Sequence, residues 1–428
     1  MPLRNPLLLV LLLSLAACTV AGGVVTPFVP STIALPPQFT PTLAVLVPHT
    51  TAPLPDVMTP AATASLPHVT TPTAPDSPAD LTTLTATSAP PTSPSAGPPL
   101  PNQPIAYCSK RDGNTDLHLI FTDGSGSAQL TTDPGDECHH AWSPDGSLLA
   151  FIYERSRKYE IYVLDPDTLG EMRISTVTEP SGKYSWSPDS SRLAVSYESA
   201  GRQAEVWTIR NDGSGLSRLT NATDVQAYQA HFDPAWSPDG SLIAYVAYSG
   251  PSEKSRIHLV TPGGEDRTPL EHASRDHAPL SWSPDGASLL FSDGNDLYLA
   301  SVRTLEEVQL TDNPAVDWTP AWSPEGQAIA FIRMRLTSVR GFAAGELLVT
   351  SVDGSSERSL TSQHPHTYAV VAAAAPSWSA NGQWIAFTCL DVAEQRVLPQ
   401  VCLVTSDGMH LVRLTSGESN SSPQFQPQ

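Results

Sequence analysis

Five consecutive residues hold the densest set of potential ligands in the sequence: Asp136-Glu137-Cys138-His139-His140. Carboxylate, thiolate and imidazole groups are the protein ligands that transition metals use most. Successive side chains of a β-strand point to opposite faces, so His139 and His140 would not easily bind one ion. Cys138 also has a competing role as a disulfide partner of Cys108. The pattern therefore does not favour a metal site, and we expect no cofactor.

A second set of polar residues recurs at a fixed distance before an aromatic residue. Tryptophan stands at positions 142, 186, 236, 282, 322 and 378, and phenylalanine at 425 keeps the period. The residues five positions earlier are Glu137, Ser181, His231, His277, Asp317, Ala373 and Asn420. Gathered at one opening, such groups could hold a metal, a small polar ligand or a peptide. The alternative, which we favour, is that polar residues are simply tolerated at a wet channel mouth.

Nucleophilic hydrolysis has little support in these residues. The sequence contains no G-x-S-x-G elbow, and no α/β segment follows the repeats. It also has no glycine-rich phosphate loop in front of a helix. We therefore predict that the protein is not an enzyme.

The elements that position these residues follow from a repeat. The segment W-S-P-D-G at Trp142 returns with small changes at the other five tryptophans. Serine, proline and glycine suit the first, second and fourth positions of a type I turn. A short apolar run follows each copy, then a second strand pattern, a further turn and a strand that ends in Leu-Thr. Each unit is predicted to be a four-stranded meander with strands a, b, c and d, and the tryptophan to lie in its core.

Meanders whose second strand is apolar on both faces are typical of β-propeller blades. The first unit lacks strand a, and the last residues offer only a strand a that contains Phe425. Pairing of the N- and C-terminal strands would complete one blade and remove the open sheet edge. We therefore predict an all-β, seven-bladed β-propeller over residues 105–428, with six blades as the alternative if the ends do not pair.

The W-S-P-D-G-x-x-[IL]-A-F unit with its later Leu-Thr resembles the propeller repeat of the TolB family, also known as PD40 or WD40-like. Similar repeats occur in the propellers of prolyl-oligopeptidase-like peptidases and oligogalacturonate lyases. The resemblance covers residues 105–428 and implies the fold more than the function. TolB itself has six blades and a separate N-terminal domain, so its particular partners are not implied.

The two rims of the predicted propeller differ. The a–b and c–d turns lie on one side, the short-turn rim, and are uniform. The b–c and d–a connections lie on the other side, the long-loop rim, and include inserts at residues 335–344, 363–375 and 391–399. Variable loops on a rigid scaffold usually carry binding. Because the fold starts at strand b, the preceding segment should reach the short-turn rim and leave the long-loop rim facing away from the membrane.

The N-terminal region predicts export and lipid anchoring. Residues 1–17 combine a basic start with a short apolar run, as in a signal peptide. Leu15-Ala16-Ala17-Cys18 resembles the lipobox of bacterial lipoproteins, with Cys18 as the lipidated residue; an ordinary cleaved signal is the alternative. Residues 18–104 are rich in Pro, Thr, Ala and Ser, which predicts a disordered linker without a core.

Charge and cysteine content limit the partners. The formal net charge is −20, which disfavours nucleic acid. Besides Cys18, four cysteines remain, an even number that suits an oxidising compartment. Cys389 with Cys402 is the favoured disulfide and Cys108 with Cys138 the second candidate, with free buried thiols as the alternative for both pairs.

These observations predict an extracytoplasmic protein of the bacterial envelope, monomeric and attached to the membrane by its lipid alone. Its propeller should bind a protein or a cell-envelope polymer through the long-loop rim without catalysis. The alternative is a metal-dependent polysaccharide lyase or hydrolase that uses the channel mouth.

Overall fold

The computed structural model describes most of the chain beyond the N-terminal region. The described residues are 98–100, 102–156, 158–177, 184–198, 204–221, 230–248, 255–266, 270, 280–339, 342–364, 368–371, 375–391 and 398–428. The predicted signal peptide, Cys18 and nearly all of the predicted linker lie outside them. Every element in the described part is a β-strand, and it contains no helix with the length and apolar character to cross a membrane.

The strands follow one another in the order that the repeat predicts. In chain order they are β1 (Pro104–Arg111), β2 (Asn114–Phe121), β3 (Ala128–Gln129), β4 (Asp136–Trp142), β5 (Leu149–Arg155), β6 (Lys158–Asp165), β7 (Gly170–Val177), β8 (Tyr184–Trp186), β9 (Arg192–Glu198), β10 (Ala204–Arg210), β11 (Ser217–Arg218), β12 (Ala230–Trp236), β13 (Ile243–Tyr248), β14 (Arg256–Val260), β15 (Ser281–Trp282), β16 (Ser288–Ser292), β17 (Leu297–Ser301), β18 (Glu307–Gln309), β19 (Val316–Trp322), β20 (Ala328–Val339), β21 (Phe342–Ser351), β22 (Arg358–Ser359), β23 (Tyr368–Val371), β24 (Ser377–Trp378), β25 (Trp384–Asp391), β26 (Pro399–Thr405), β27 (Leu411–Arg413) and β28 (Ser419–Phe425).

Antiparallel pairing groups these strands into seven blades. Blade I is β28-β1-β2-β3, blade II β4-β5-β6-β7, blade III β8-β9-β10-β11 and blade IV β12-β13-β14. Blade V is β15-β16-β17-β18, blade VI β19-β20-β21-β22 and blade VII β24-β25-β26-β27. The strand β23 is additional and joins blades VI and VII. The prediction of an all-β, seven-bladed propeller is confirmed, and the six-bladed alternative is not needed.

The chain ends close the ring as predicted. In blade I the C-terminal β28 pairs antiparallel with β1, and Ile105 lies opposite Phe425. The backbone N–H of Gln426 donates to the carbonyl of Pro104 at 2.9 Å. This pairing satisfies the edge of β1, which would otherwise be open to other chains.

The W-S-P-D-G segments form the predicted turns on the short-turn rim. In the first copy the N–H of Gly146 donates to the carbonyl of Ser143 at 2.8 Å, and the same bond recurs in the other five copies. The Ser143 hydroxyl donates to Asp145 at 2.6 Å and accepts from the Leu148 N–H at 2.9 Å. The serine and aspartate side chains therefore stabilise the turn by hydrogen bonds within it, which explains why these residue types recur.

The hydrophobic core is divided into seven clusters, each shared by two neighbouring blades. One cluster joins Val163 of blade II to Leu193 of blade III. Another closes the ring by joining Leu403 of blade VII to Ile105 and Phe425 of blade I. Each strand b has neighbours on both faces, which accounts for its apolar character along its whole length.

The repeat tryptophan lies at these boundaries and reaches the preceding blade. Its indole N–H donates to the carbonyl of the residue just before the aromatic of that blade. The bonds run from Trp142 to Gln424 at 3.3 Å, Trp186 to Ala141 at 3.1 Å, Trp282 to Ala235 at 2.9 Å, Trp322 to Ser281 at 3.3 Å and Trp378 to Ala321 at 3.2 Å. Trp236 is the exception, because its indole N–H has no acceptor among the described residues. The tryptophan thus belongs to the core and also links neighbouring blades by a hydrogen bond.

This exception provides an internal control for a stability measurement. We expect Trp282→Phe to lower the free energy of unfolding by about 1 kcal/mol more than Trp236→Phe, because only the former loses a hydrogen bond. Both tryptophans are similarly buried, at 8% and 9% exposure, so the lost apolar area is matched. Urea unfolding of both variants measures the difference. Equal losses would show that the indole hydrogen bond contributes nothing.

Candidate functional site

The predicted channel-mouth residues lie at the boundaries between blades. Ser181 and His277 fall outside the described residues, as does Ala373. The other four lie on β4, β12, β19 and β28 and are 0–2% exposed: Glu137, His231, Asp317 and Asn420. Glu137, His231 and Asn420 have polar partners across their blade boundaries, whereas the ion-pair partner of Asp317 lies within its own blade. Because all four are buried, they do not form an open binding surface.

Each of these residues precedes a β-bulge that recurs in strand a. The pairing of strands a and b shifts between Cys138 and Ala141, between Phe232 and Ala235 and between Trp318 and Ala321. The extra residue has a positive φ, as at His139 with 52° and Asp233 with 53°. A bulge increases the local twist of its strand.

A polar residue of the preceding blade, itself bonded to a threonine, receives the side chains of His231 and Asn420. The threonine ends the Leu-Thr segment, and its hydroxyl accepts a backbone N–H from strand c. The bonds run from Leu117 to Thr131, Val206 to Thr220, Leu297 to Thr311, Leu347 to Thr361 and Val401 to Thr415, at 2.9–3.1 Å. The threonine of Leu-Thr therefore links strand c to the end of strand d by a hydrogen bond, a role that its position alone did not predict.

Blade boundary III–IV shows the full arrangement. The Thr220 hydroxyl donates to Glu205 Oε2 at 2.7 Å. Nδ1 of His231 lies 3.1 Å from the same oxygen. Glu205 and His231 are 6% and 2% exposed, so this hydrogen bond between the blades is shielded from solvent.

The boundary between blades VII and I repeats the arrangement of boundary III–IV with neutral groups. The Thr415 hydroxyl donates to Gln400 Oε1 at 2.9 Å, and Asn420 Nδ2 donates to the same atom at 3.0 Å. Gln400 Nε2 in turn donates to the Glu418 carbonyl at 2.8 Å. An amide pair thus takes the place of the carboxylate and histidine.

Asp317 has a different partner within its own blade. Arg333 on β20 donates to both of its carboxylate oxygens, at 2.8 and 2.9 Å, and also binds Glu357. Asn313 adds a further donor to Asp317 at 3.0 Å. Because the Asp317 side chain is fully buried, removal of Arg333 would leave an uncompensated charge. Arg333 was not predicted as a site residue; its place opposite Asp317 depends on strand register.

Glu137 meets a second carboxyl at the boundary of blades I and II. It shares a hydrogen bond with Asp116, in which Glu137 is the protonated member. Asn114 and Gln129 donate to Asp116 at 2.9 and 3.0 Å and so favour its ionised form. Oε2 of Glu137 has no hydrogen-bond partner among the described residues.

Burial raises the pKa of Glu137 to about 8. The nearby carboxyls of Asp116 and Asp133 act in the same direction, whereas the hydroxyl of Thr131 opposes them. Burial also raises the pKa of Asp116. Such a carboxyl is protonated at neutral pH and therefore costs little to bury.

The five-residue segment that includes Glu137 does not act as a single ligand set. Asp136 accepts the backbone N–H of Thr115 at 2.8 Å, and His139 is exposed at the bulge. Cys138 is bonded to Cys108 in a disulfide between blades I and II. His140 is buried and lies 3.6 Å from the Cys108 sulfur through Nδ1. Cys108, Cys138 and His140 form the one group in the described part whose ligand atoms lie close enough together for a metal ion.

The second disulfide joins Cys389 on β25 to Cys402 on β26 within blade VII. Both cysteines are fully buried in the cluster between blades VI and VII. This pair lies in the same sheet as an unusual feature of the long-loop rim.

That feature is an extended hairpin with an inserted strand. Strands β20 and β21 have 12 and 10 residues and form the b–c hairpin of blade VI. Strand β23, from the insert at residues 363–375, pairs with β21 on one side and β25 on the other. Blades VI and VII are thus continuous at this rim. The sequence predicted loops in these inserts, and in part the structure has strands instead.

The pKa of Glu137 gives a testable pH dependence. An unfolded glutamate loses its proton near pH 4.3, whereas folded Glu137 keeps it to about pH 8. Between these values the folded state binds one proton more, so stability should fall as pH rises, by up to about 1.4 kcal/mol per pH unit. Glu137→Gln should remove this slope, and Glu306→Gln at an exposed turn should keep it. Urea unfolding from pH 5 to pH 9 measures the pH dependence of both variants. If Glu137→Gln keeps the wild-type slope, the slope arises from another group.

Comparison with known proteins agrees with this architecture. Residues 223–428 match the family model described as PD40, TolB beta propeller domain. A protein of Bacillus subtilis named uncharacterized peptidase YuxL is 33% identical over 125 residues, which is 27% of this chain and 19% of that protein. A Protein TolB homolog of Chlorobium chlorochromatii is 26% identical over 131 residues, which is 31% of this chain and 29% of the homolog. The chain thus spans less than a third of the length of either relative.

The solved structure of TolB from Acinetobacter baumannii superposes with a TM-score of 0.51 at 16% identity. The superposition covers 76% of this chain and 67% of that one. At this identity the likeness concerns the fold alone. Together with the repeats and the closed ring of blades, these similarities identify the propeller of this chain as TolB-like.

Proposed function

We propose that this chain is a non-catalytic binding module of the bacterial envelope. It is held at the membrane by a lipid on Cys18 and engages a protein or a cell-envelope polymer through the long-loop rim of its propeller. The observation that carries the proposal is the β20–β21 hairpin with its inserted strand β23, because it makes one sector of the rim both prominent and rigid.

The rigidity comes from pairing on both edges of β23. Ala344 and Gly345 lie opposite Val371 and Val370, and Val370 also lies opposite Cys389. Val370 is fully buried in the cluster that contains the Cys389–Cys402 disulfide. A binding surface supported in this way loses little conformational entropy when a partner docks.

The surroundings of the candidate residues also favour binding over catalysis. The alternative lyase or hydrolase would use groups at the channel mouth. Glu137, His231 and Asp317 are instead buried at blade boundaries. Substitutions there would report on packing, so the functional test belongs on the hairpin.

Similarity to TolB homologs supports an extracytoplasmic role without naming the partner. The matched segments make up 19% and 29% of the two relatives, one of which bears the name of a peptidase. Because the matched segments are short, neither relative's activity transfers by itself. The signal-like residues 1–17 and the acidic net charge of −20 fit an exported protein that does not bind nucleic acid.

Shortening the hairpin tests the rim directly. Met334 and Gly345 are cross-strand partners, so a two-residue Asn-Gly turn can join them in place of residues 335–344. We expect this variant to capture its partner from native envelope at least about tenfold less well than wild type, which corresponds to about 1.4 kcal/mol. Wild type and variant, both as otherwise full-length proteins, are cross-linked in native envelope. The measurement is the amount of the same cross-linked species that each protein forms.

A matched control lies on the opposite rim. Met409 is 60% exposed at the turn between β26 and β27, and Met409→Ser should leave capture unchanged. Equal capture by the hairpin variant and wild type would refute the assignment of the rim. Chelator-sensitive cleavage of an envelope polymer by the purified protein would favour the enzyme instead.

The lipid anchor has a separate test. Cys18→Ser should abolish incorporation of labelled fatty acid, because the residue that carries the lipid is removed. The protein should then move from the membrane fraction to the soluble extracytoplasmic fraction. Unfolding of the propeller should be unchanged. Absence of the label from the wild type would exclude the lipid, and membrane association of the variant equal to that of the wild type would show that the lipid is not the attachment. Neither outcome bears on the rim proposal.

A further inference from the structure

We propose that Cys108, Cys138 and His140 form a redox-gated site for a thiophilic divalent cation such as Zn²⁺. The Cys108–Cys138 disulfide keeps the site closed, and its reduction supplies two sulfur ligands beside a histidine that is already oriented. The inference concerns the boundary of blades I and II and is independent of the binding rim.

The orientation of His140 is the first observation. Its Nε2 lies 3.2 Å from the carbonyl oxygen of Ala106. A carbonyl only accepts, so Nε2 carries the proton and Nδ1 presents a lone pair. That lone pair faces the Cys108 sulfur at 3.6 Å. A disulfide sulfur has no proton to donate, so Nδ1 gains no conventional hydrogen bond from it.

Burial keeps the ring in this state. His140 is 4% exposed, so neighbouring residues restrict the ring, and the Ala106 carbonyl holds its Nε2. Neutral imidazole with one free nitrogen is the form in which histidine binds metals. Hydrogen bonding of one ring nitrogen to a backbone carbonyl, with the other directed to the ligand site, is the usual arrangement around metal-binding histidines.

The distances suit a tetrahedral cation. Metal–sulfur and metal–nitrogen bonds of about 2.3 and 2.1 Å place the two ligand atoms about 3.6 Å apart at a tetrahedral angle. The observed separation of Cys108 Sγ and His140 Nδ1 is 3.6 Å. All three ligand atoms lie within 4.8 Å of one another. The two sulfurs must move apart, and cleavage of their bond allows this.

Access to the site differs between the two disulfides. Cys138 is half-buried at the edge of blade II, so a reductant and a metal-bound water can approach it. Cys389 and Cys402 are fully buried, and no histidine joins them in a potential ligand group within the described part. The second disulfide therefore provides a matched control within the same chain.

A dithiol is the reductant that opens the Cys108–Cys138 disulfide. The dithiol supplies two electrons and two protons, the Cys108–Cys138 bond breaks to give two thiols, and the dithiol becomes a disulfide. The cation then displaces both thiol protons to solvent and is held by two thiolates and neutral His140. Their two negative charges neutralise the cation, and water occupies the fourth position.

Cobalt(II) provides the probe, because thiolate ligation gives it a near-ultraviolet charge-transfer band. The protein is the full chain with Cys18→Ser, reduced without air and titrated with Co²⁺. We expect one Co²⁺ per chain in the reduced protein and none in the oxidised protein. His140→Gln should weaken binding at least about tenfold, since loss of even a supporting ligand partner costs 10- to 100-fold.

The controls separate ligation from folding. His139→Gln and the double variant Cys389→Ser, Cys402→Ser should bind Co²⁺ as the parent does, and Cys108→Ser, Cys138→Ser should lose the band. Unfolding curves of the oxidised proteins show whether His140→Gln is folded. The absence of a band in the reduced parent, or its persistence in Cys108→Ser, Cys138→Ser or in folded His140→Gln, would overturn the proposal.

Discussion

The structure depends on one constraint: no blade can bury its own strand b. These strands are apolar on both faces, so each needs a blade on either side, and the ring must close for the last one to be covered. The repeat tryptophan serves this constraint directly. It packs at the boundary and its indole N–H donates to the preceding blade, as Trp282 does to Ala235 at 2.9 Å. The pairing of β28 with β1 covers the final boundary.

Polar groups add direction to these apolar contacts. A hydrophobic face tolerates sliding, whereas the Glu205–His231 and Gln400–Asn420 hydrogen bonds fit one alignment of two blades. The chemistry varies from boundary to boundary while the place stays the same. The Leu-Thr segment contributes to the constant place, because its threonine hydroxyl accepts a backbone N–H of strand c and also bonds Glu205 or Gln400. Variation within a constant frame gives these two boundaries different complementary pairs.

The boundary of blades I and II differs from these two. It combines a carboxyl pair, a disulfide and a neutral histidine within one short stretch of β4. Burial governs the two titratable groups Glu137 and His140: it keeps Glu137 protonated and His140 unprotonated, so that neither carries an unpaired charge in the interior. On the long-loop rim the governing factor is strand pairing instead, because β23 turns two variable inserts into a continuous sheet.

The sequence by itself determined the architecture, because a regular repeat sets period, strand order and turn chemistry locally. The position of Phe425 was sufficient to predict ring closure and the seventh blade. The tertiary structure decided what the polar residues do. Glu137, His231 and Asp317 share a repeat position, which predicted a common place, but their burial depends on blades that lie far apart in sequence. Arg333 and Asp317 are partners only through register, and His140 meets Cys108 only because β1 and β4 become neighbours when the blades stack. Such contacts follow from packing between repeats, and no local pattern records them.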